Sequence, residues 1–167
     1  IPTLNEEGVV DRLLGELIQG ATPDIEIIVA DSCSTDGTPA IVEALAHAHP
    51  GLIKLARAPA RGVSLARNTG AKLARGRYLA FLDADARIST ETLLKGVTEM
   101  EQRGLVAAAF RFVSGSDFWG DRLIASLFNL NMGFLQYVAP TAPGSAGYLI
   151  QCDAHDRQGS FNEAMHF

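Results

Sequence analysis

The sequence has few cysteines, no excess of basic residues and no long apolar run. Cys33 and Cys152 are its only cysteines, and their wide separation argues against a disulfide framework and against a zinc site built from cysteine pairs. The formal net charge is −5, which gives no electrostatic reason to expect a nucleic-acid partner. No uninterrupted apolar run reaches the roughly 18 residues of a membrane span, and we expect no membrane span and no signal peptide.

What is present is typical of a soluble globular domain. The chain has 167 residues, of which 47% are hydrophobic and 20% charged, enough to form one domain with a substantial core. The predicted location is the cytoplasm, and peripheral association with the inner face of the membrane stays open. Because the sequence starts at Ile1 without methionine and stops at Phe167 without a clear end, we expect one domain over 1–167, truncated at both ends.

Short apolar runs alternate with helical patterns along the chain. We predict strands at 25–30, 53–57, 78–82, 105–113 and 148–152, and helices at 5–20, 38–48, 64–75, 90–103 and 117–138. This order predicts an α/β domain with a mostly parallel central sheet flanked by helices. The last helix is rich in aromatic residues, and we expect it to pack in the core or between elements rather than to form a membrane-binding or acceptor-binding surface.

Polar clusters follow the strands predicted at 25–30 and 78–82 and a further strand predicted to end at Ile1, and they read "DSCSTDGT", "DADA" and "PTLNEE". Ligands of open α/β sheets bind outside the carboxyl ends of the strands, so these clusters predict one site. In an extended segment Asp83 and Asp85 would point the same way, and carboxylates suit a hard cation such as Mg²⁺ or Mn²⁺. Two solvated aspartates in a surface loop are the alternative.

Other polar residues near these strand ends have two interpretations each. The carboxylate of Asp31 can accept hydrogen bonds from a base or a ribose. The segment 34–36 suits either the same site or initiation of the next helix. Arg61 and Arg67 flank a helix start where an arginine can meet a diphosphate, although a surface salt bridge is the alternative.

Four segments together resemble the family 2 glycosyltransferases of the GT-A fold, a Rossmann-like α/β fold. They are "IPTLNEE", "IEIIVADSCSTDGT", "GVSLARNTGAKLARGRYLAFLDADARI" and "GSFNEA", in this order and spacing across essentially the whole chain. The resemblance implies metal-dependent, inverting transfer of a sugar from a nucleotide diphosphate donor, with a UDP-sugar favoured, to an acceptor hydroxyl. It also implies a nucleotide-sugar-binding half over 1–113 and an incomplete acceptor-side half over 114–167.

The resemblance assigns roles to individual residues. Asp31 matches the residue that contacts the base, Asp83 the aspartate toward the ribose, and Asp85 the ligand of Mg²⁺ or Mn²⁺ at the diphosphate. Arg67 matches an arginine beside the nucleotide. The remaining matches belong to the first nucleotide-binding motif and are Pro2, Thr3, Asn5 and Glu6.

Two departures from the family pattern concern recognition of the nucleobase and the residue that acts as the catalytic base. The family commonly has Asp-Asp-Gly-Ser where this chain has Asp-Ser-Cys-Ser at 31–34, so one carboxylate is missing. Inversion needs a base that deprotonates the acceptor hydroxyl, and the family places it in an acidic motif that we expect just beyond Phe167. Within the sequence, Glu163, Asp153 and Asp156 are the candidates for this role.

Two rival functions stay open at this stage. One is a phosphohydrolase with an aspartate nucleophile, which would leave "DSCSTDGT" and "PTLNEE" unexplained. The other is a module that binds a nucleotide-sugar without turning it over. The sequence names no sugar and no acceptor, which would be a saccharide, a lipid carrier or a protein.

Overall fold

The structure is a computed structural model that describes residues 1–111, 113, 118–138 and 147–164. Its strands are β1 (Pro2–Thr3), β2 (Ile27–Asp31), β3 (Ile53–Arg57), β4 (Tyr78–Leu82), β5 (Ala107–Ala109) and β6 (Gly147–Gln151). Its helices are α1 (Val10–Ile18), α2 (Thr38–Ala48), α3 (Val63–Ala71), α4 (Thr90–Arg103), α5 (Trp119–Val138) and α6 (Cys152–Gln158). The predicted alternation of strands and helices is confirmed, but β1 lies after the expected strand end at Ile1, β5 covers three residues rather than 105–113, and α6 was not predicted.

The strands form two sheets. In the first, the order is β1-β2-β3 and both pairs are parallel. In the second, the order is β4-β6-β5 and both pairs are antiparallel. The predicted parallel pairing therefore applies to the first sheet, whereas β4 and β5 pair with β6. The segment 139–146, which precedes β6, lies outside the described residues.

Strand β2 is the centre of the first sheet and is buried at all five positions. Because side chains alternate along a strand, Val29 packs with Leu13 and Val42 of α1 and α2 on one face. Ile28 and Ala30 pack with Ala66 of α3 on the other face. This two-sided burial explains the continuous apolar run in the sequence and fixes Asp31 at the end of a rigid strand.

An apolar cavity of about 600 Å³ lies between the two sheets. Ile27 and Ile28 of β2 line one side, and Leu79 and Phe81 of β4 line the other. Strand β1 pairs with the carboxyl end of β2, and Ile1 before it also bonds to β2, since its amino group donates to the Ile28 carbonyl at 2.9 Å and its carbonyl accepts the Ala30 amide at 2.8 Å.

Helix α1 begins at Val10, so the prediction of a helix start near Asn5 is wrong. Asn5 has φ of 58°, and its amide and side chain bond to the 34–35 loop instead of capping a helix. The other boundary differences are smaller. Helix α3 ends at Ala71 rather than near Arg75, whose amide donates to Glu26 Oε1.

Helix α5 exposes much of its apolar surface, contrary to the expectation of core packing. Trp119 is 71% exposed and Ile124 is 66% exposed, whereas Ala125 is buried. Within the part of the chain that the structure describes, no helix combines the length and the apolar character needed to cross a membrane.

Cys33 adopts a left-handed backbone conformation with φ of 64°. Such a conformation costs a residue with a Cβ roughly 1–2 kcal/mol, which glycine avoids at the expense of greater freedom in the unfolded chain. We therefore expect Cys33→Gly to raise the free energy of unfolding by about 0.5–1 kcal/mol, measured by urea denaturation. Cys33→Ser is the matched control because it retains the Cβ, and a gain of the same size in both variants would contradict the explanation.

Candidate functional site

The ends of β1 and β2 lie side by side, as predicted from the polar clusters. Thr3 pairs with Asp31 in the strand register, and the amide of Ser32 donates to the carbonyl of Thr3 at 2.8 Å. Thr3 and Asp31 are both buried. Asp31 Oδ2 accepts a bond from the Ser34 amide at 3.2 Å, but Asp31 Oδ1 and Thr3 Oγ1 have no hydrogen-bond partner among the described residues.

Buried polar atoms without partners are uncommon because the loss of hydration is not compensated. Two of them at adjacent strand ends therefore indicate a place where a polar ligand supplies the missing bonds. A carboxylate oxygen can accept an N–H of a base, and a threonine hydroxyl can donate or accept.

The loop after β1 is braced against the loop after β2. The Asn5 amide donates to Ser34 Oγ at 2.9 Å, and Asn5 Oδ1 accepts the Thr35 amide at 2.8 Å. The Glu6 amide donates to Thr38 Oγ1 at 2.8 Å. Asn5 therefore holds the two loops together, so that both strand ends keep a fixed spacing.

Asp36 lies just before α2, and its Oδ1 accepts a bond from the Thr38 amide at 3.0 Å. Its Oδ2 accepts the Glu7 amide at 3.2 Å. These bonds agree with the interpretation of the segment 34–36 as loop and helix-start chemistry.

Arg67 and Asp83 form an ion pair at the end of β4. Arg67 Nη2 lies 2.7 Å from Asp83 Oδ1, and Arg67 Nε is buried without a hydrogen-bond partner among the described residues. The sequence places these residues on separate elements, and the structure brings them together. Arg61, by contrast, is exposed.

Asp83 and Asp85 lie in a turn rather than in the extended segment predicted from the sequence, since the Ala86 amide donates to the Asp83 carbonyl at 3.1 Å. Ala84 between them is buried, and Asp85 is exposed. Arg12 Nη2 donates to the backbone carbonyl of Asp85 at 2.9 Å. The sequence did not identify Arg12, because the local pattern around a helical arginine does not predict a contact with a residue 73 positions away.

The carboxylates around this turn influence one another. Partial burial raises the pKa of Glu6, and the negative charges of Asp85, Asp36 and Asp83 raise it further. In the described part of the chain, no group of three or more potential metal ligands is preassembled. Oxygen donors such as Asp85 nevertheless fit Mg²⁺ or Mn²⁺, which commonly bind through one or two carboxylates and complete their shell with water and substrate phosphates.

The raised pKa of Glu6 predicts a pH effect on stability. A carboxylate whose folded pKa is raised stabilises the fold below its unfolded pKa, and this contribution is lost as pH rises through the folded pKa. We expect Glu6→Gln to be more stable than the parent chain at pH 7 by less than about 1 kcal/mol, because solvent screens the repulsion. The difference should vanish near pH 3.5. Urea denaturation at both pH values checks this, and a variant less stable at pH 7 would contradict it.

Ser32 occupies the position at which the family pattern has a second carboxylate. It is buried, and its hydroxyl accepts a bond from the Gly62 amide at 2.8 Å. Gly62 is the residue before α3, the helix that carries Arg67. The missing carboxylate is therefore replaced by a brace that fixes the start of α3.

The three candidates for the catalytic base differ in their surroundings. Asp153 is exposed and paired with Arg157 at 2.9 Å within α6, and Asp156 is also exposed on α6. Glu163 Oε1 accepts a bond from Asn68 Nδ2 at 2.8 Å. Sequence reasoning missed Asn68, although an asparagine inside a helix has a poor intrinsic preference and is itself a signal of a tertiary role.

Comparisons with known proteins bear on the family and the fold of the chain. The sequence model described as Glycosyl transferase family 2 matches residues 1–156. The succinoglycan biosynthesis protein ExoO of Rhizobium meliloti (strain 1021) is 32% identical over 104 residues, which are 62% of this chain and 29% of that protein.

Two solved structures are similar over nearly the whole chain. The mannosyltransferase PcManGT from Pyrobaculum calidifontis, in complex with GDP-Man and Mn²⁺, has a TM-score of 0.76 and 26% identity over 98% of this chain and 46% of its own. TarS 1–349 of S. aureus in complex with UDP-GlcNAc has a TM-score of 0.72 and 25% identity over 98% of this chain and 48% of its own. The chain thus spans less than half of each of these proteins. The match of the family sequence model to most of its residues shows that the chain belongs to glycosyl transferase family 2 and has the GT-A fold.

Proposed function

We propose that this chain binds a nucleotide diphosphate sugar, with a UDP-sugar favoured, and transfers the sugar with inversion to an acceptor hydroxyl. The observation that carries the proposal is the set of buried polar atoms without partners at the strand ends. Thr3 Oγ1, Asp31 Oδ1 and Arg67 Nε all lack hydrogen-bond partners among the described residues. A nucleotide-sugar donor is also supported by the similarity in fold to TarS and PcManGT, whose structures are complexes with UDP-GlcNAc and GDP-Man.

In this proposal each strand end contacts a different part of the donor. Asp31 accepts an N–H from the base, and Thr3 lies beside it on β1. Arg67 lies beside the diphosphate, and Asp83, which it pairs with, accepts a ribose hydroxyl. Pro2 lies next to Thr3 in β1, and Asn5 and Glu6 fix the chain after β1, because the Asn5 amide bonds to Ser34 in the loop after β2 and the Glu6 amide bonds to Thr38 at the start of α2.

Asp85 is the residue proposed to hold Mg²⁺ or Mn²⁺. It is exposed, so its carboxylate is accessible to a cation carried in with the diphosphate. When bound, the cation acts as a Lewis acid that stabilises the negative charge of the departing diphosphate. The chain's own contribution is to keep Asp85 in place through the turn after β4 and the bond from Arg12 to its carbonyl.

Inversion requires a base on the acceptor side of the sugar. Glu163, Asp153 and Asp156 are the described candidates, and the base expected beyond Phe167 lies outside the described residues. We propose a saccharide, a lipid carrier or a protein as the acceptor. A cytoplasmic location fits a nucleotide-sugar donor, and the exposed apolar face of α5 is compatible with peripheral membrane association.

Calorimetric titration tests the donor site. UDP and GDP are titrated into the chain with and without Mn²⁺, followed by UDP-glucose, UDP-GlcNAc and GDP-mannose. Mn²⁺-dependent binding of UDP in preference to GDP supports the proposal. No binding of any nucleotide diphosphate would overturn it, and binding of nucleotide-sugars without transfer to any acceptor would favour a binding module.

A further inference from the structure

Asn68 joins α3 to a segment that is more than ninety residues away in sequence. Its Oδ1 accepts the Phe161 amide at 2.9 Å, and its Nδ2 donates to the Phe161 carbonyl at 3.0 Å and to Glu163 Oε1 at 2.8 Å. Asn68 is buried, and these bonds use its acceptor and both of its donor hydrogens. Because the backbone N–H of Phe161 can only donate, Oδ1 of Asn68 must face it. This fixes the orientation of the Asn68 side-chain amide group.

The neighbouring residue of α3 connects the same segment to the proposed donor site. The Arg67 guanidinium lies 5.4 Å from the centre of the Phe161 ring while its Nη2 pairs with Asp83. Phe161 also packs against Phe81 of β4, with ring centres 5.0 Å apart. The segment that carries Glu163 is therefore held against the strand end at which Asp83 begins the turn to Asp85.

Glu163 differs from Phe161 because it is exposed. A packing role would not require a charged carboxylate at an exposed position, and a hydrogen bond from a buried amide restricts the carboxylate to one place. An acidic side chain held in a fixed orientation is a suitable acceptor for sugar hydroxyls, since hydrogen bonds to charged groups are the stronger ones.

We propose that Glu163 binds a hydroxyl of the donor's sugar and that Asn68 is the positioning residue that orients it. The inference rests on the proposed function and adds a residue that recognises the sugar rather than the nucleotide. It predicts that both residues affect the affinity for a nucleotide-sugar and leave the affinity for the nucleotide diphosphate unchanged.

The test compares the affinity for a nucleotide-sugar with the affinity for the matching nucleotide diphosphate. The nucleotide-sugar is whichever of UDP-glucose, UDP-GlcNAc and GDP-mannose binds the parent chain most tightly, and the diphosphate is UDP for the first two and GDP for the third. Glu163→Ala and Asn68→Ala are each expected to weaken nucleotide-sugar binding at least roughly tenfold, the lower end of the range for a hydrogen bond to a charged group, with the diphosphate affinity within about twofold of the parent. Because Asn68 acts through Glu163, the double variant should resemble Glu163→Ala rather than multiply the two losses. Glu163→Gln, which retains an oxygen for Asn68, should lose less than Glu163→Ala.

Thr69→Ala is the matched control, since the Thr69 hydroxyl donates to the Leu65 carbonyl within the same helix. Thermal melts separate folding from recognition, because a purely structural Asn68 would lower stability and weaken both ligands equally. Three results would overturn the inference. They are an equal loss of affinity for the nucleotide-sugar and the nucleotide diphosphate, losses of affinity that multiply in the double variant, and an unchanged nucleotide-sugar affinity in Glu163→Ala. Failure of the parent chain to bind any diphosphate would instead overturn the proposed function.

Discussion

Replacing Asp85 by alanine is expected to abolish the Mn²⁺-dependent part of UDP binding. Asp85 is exposed at the turn after β4, where its carboxylate is proposed to hold the cation that neutralises the diphosphate. Loss of residues that merely support metal ligands costs roughly 10–100-fold in metal affinity, so loss of the ligand should remove at least about 100-fold of the Mn²⁺ enhancement. Titration of UDP with and without Mn²⁺ measures the effect directly.

Two variants separate this explanation from a general loss of charge. Asp85→Asn keeps the shape and removes the charge, and it should lose most of the Mn²⁺ enhancement as well. Asp24→Ala removes an exposed carboxylate that is not part of the proposed site, and it should bind UDP as the parent does. Full Mn²⁺ enhancement in Asp85→Ala would show that the cation is held elsewhere.

Replacing Asp31 by asparagine is expected to weaken UDP binding while leaving the fold equally stable or more stable. Asp31 is buried, and its Oδ1 has no partner among the described residues, so the free protein bears an uncompensated desolvation cost that a neutral amide reduces. The bound base supplies an N–H to that oxygen, and a hydrogen bond to a charged acceptor is worth about 1.5–3 kcal/mol. Replacing the charged acceptor by a neutral one should cost roughly tenfold in UDP affinity.

The informative result is that UDP binding weakens while the stability of the fold does not fall. If Asp31 were a structural residue, its replacement would lower the melting temperature, and weaker binding would follow from the weaker fold. Ser32→Ala provides the contrast, because Ser32 braces Gly62 at the start of α3. That variant should lose stability, and its effect on UDP should be the smaller one. A drop in stability for Asp31→Asn would contradict the proposed role.

The parts of the fold that were predictable depend on local pattern. The apolar β-branched run of β2 follows from burial on both faces, and the start of α4 follows from Ser89, whose hydroxyl accepts the Thr92 amide at 3.2 Å. The placement of Thr3 beside Asp31 was also predictable, because the ends of parallel strands meet at one edge of the sheet.

The parts that were not predictable depend on contacts between distant segments. Asparagine is a preferred residue type at a helix N-cap, but Asn5 bonds to Ser34 and Thr35 instead of capping α1. Ser32 was interpreted only as a missing carboxylate, because its bond to Gly62 spans 30 residues. The three bonds of Asn68 reach Phe161 and Glu163, and no local pattern of a helical asparagine identifies such partners.

The central claim is that the ends of β1, β2 and β4 together hold a nucleotide diphosphate and its cation. Crystals of the chain grown with UDP and Mn²⁺, with the metal located by its anomalous scattering, test this most directly. The account predicts Mn²⁺ bound to the Asp85 carboxylate and to the diphosphate, with the base hydrogen-bonded to Asp31. A metal bound away from Asp85, or a base that leaves Asp31 Oδ1 without a partner, would contradict it.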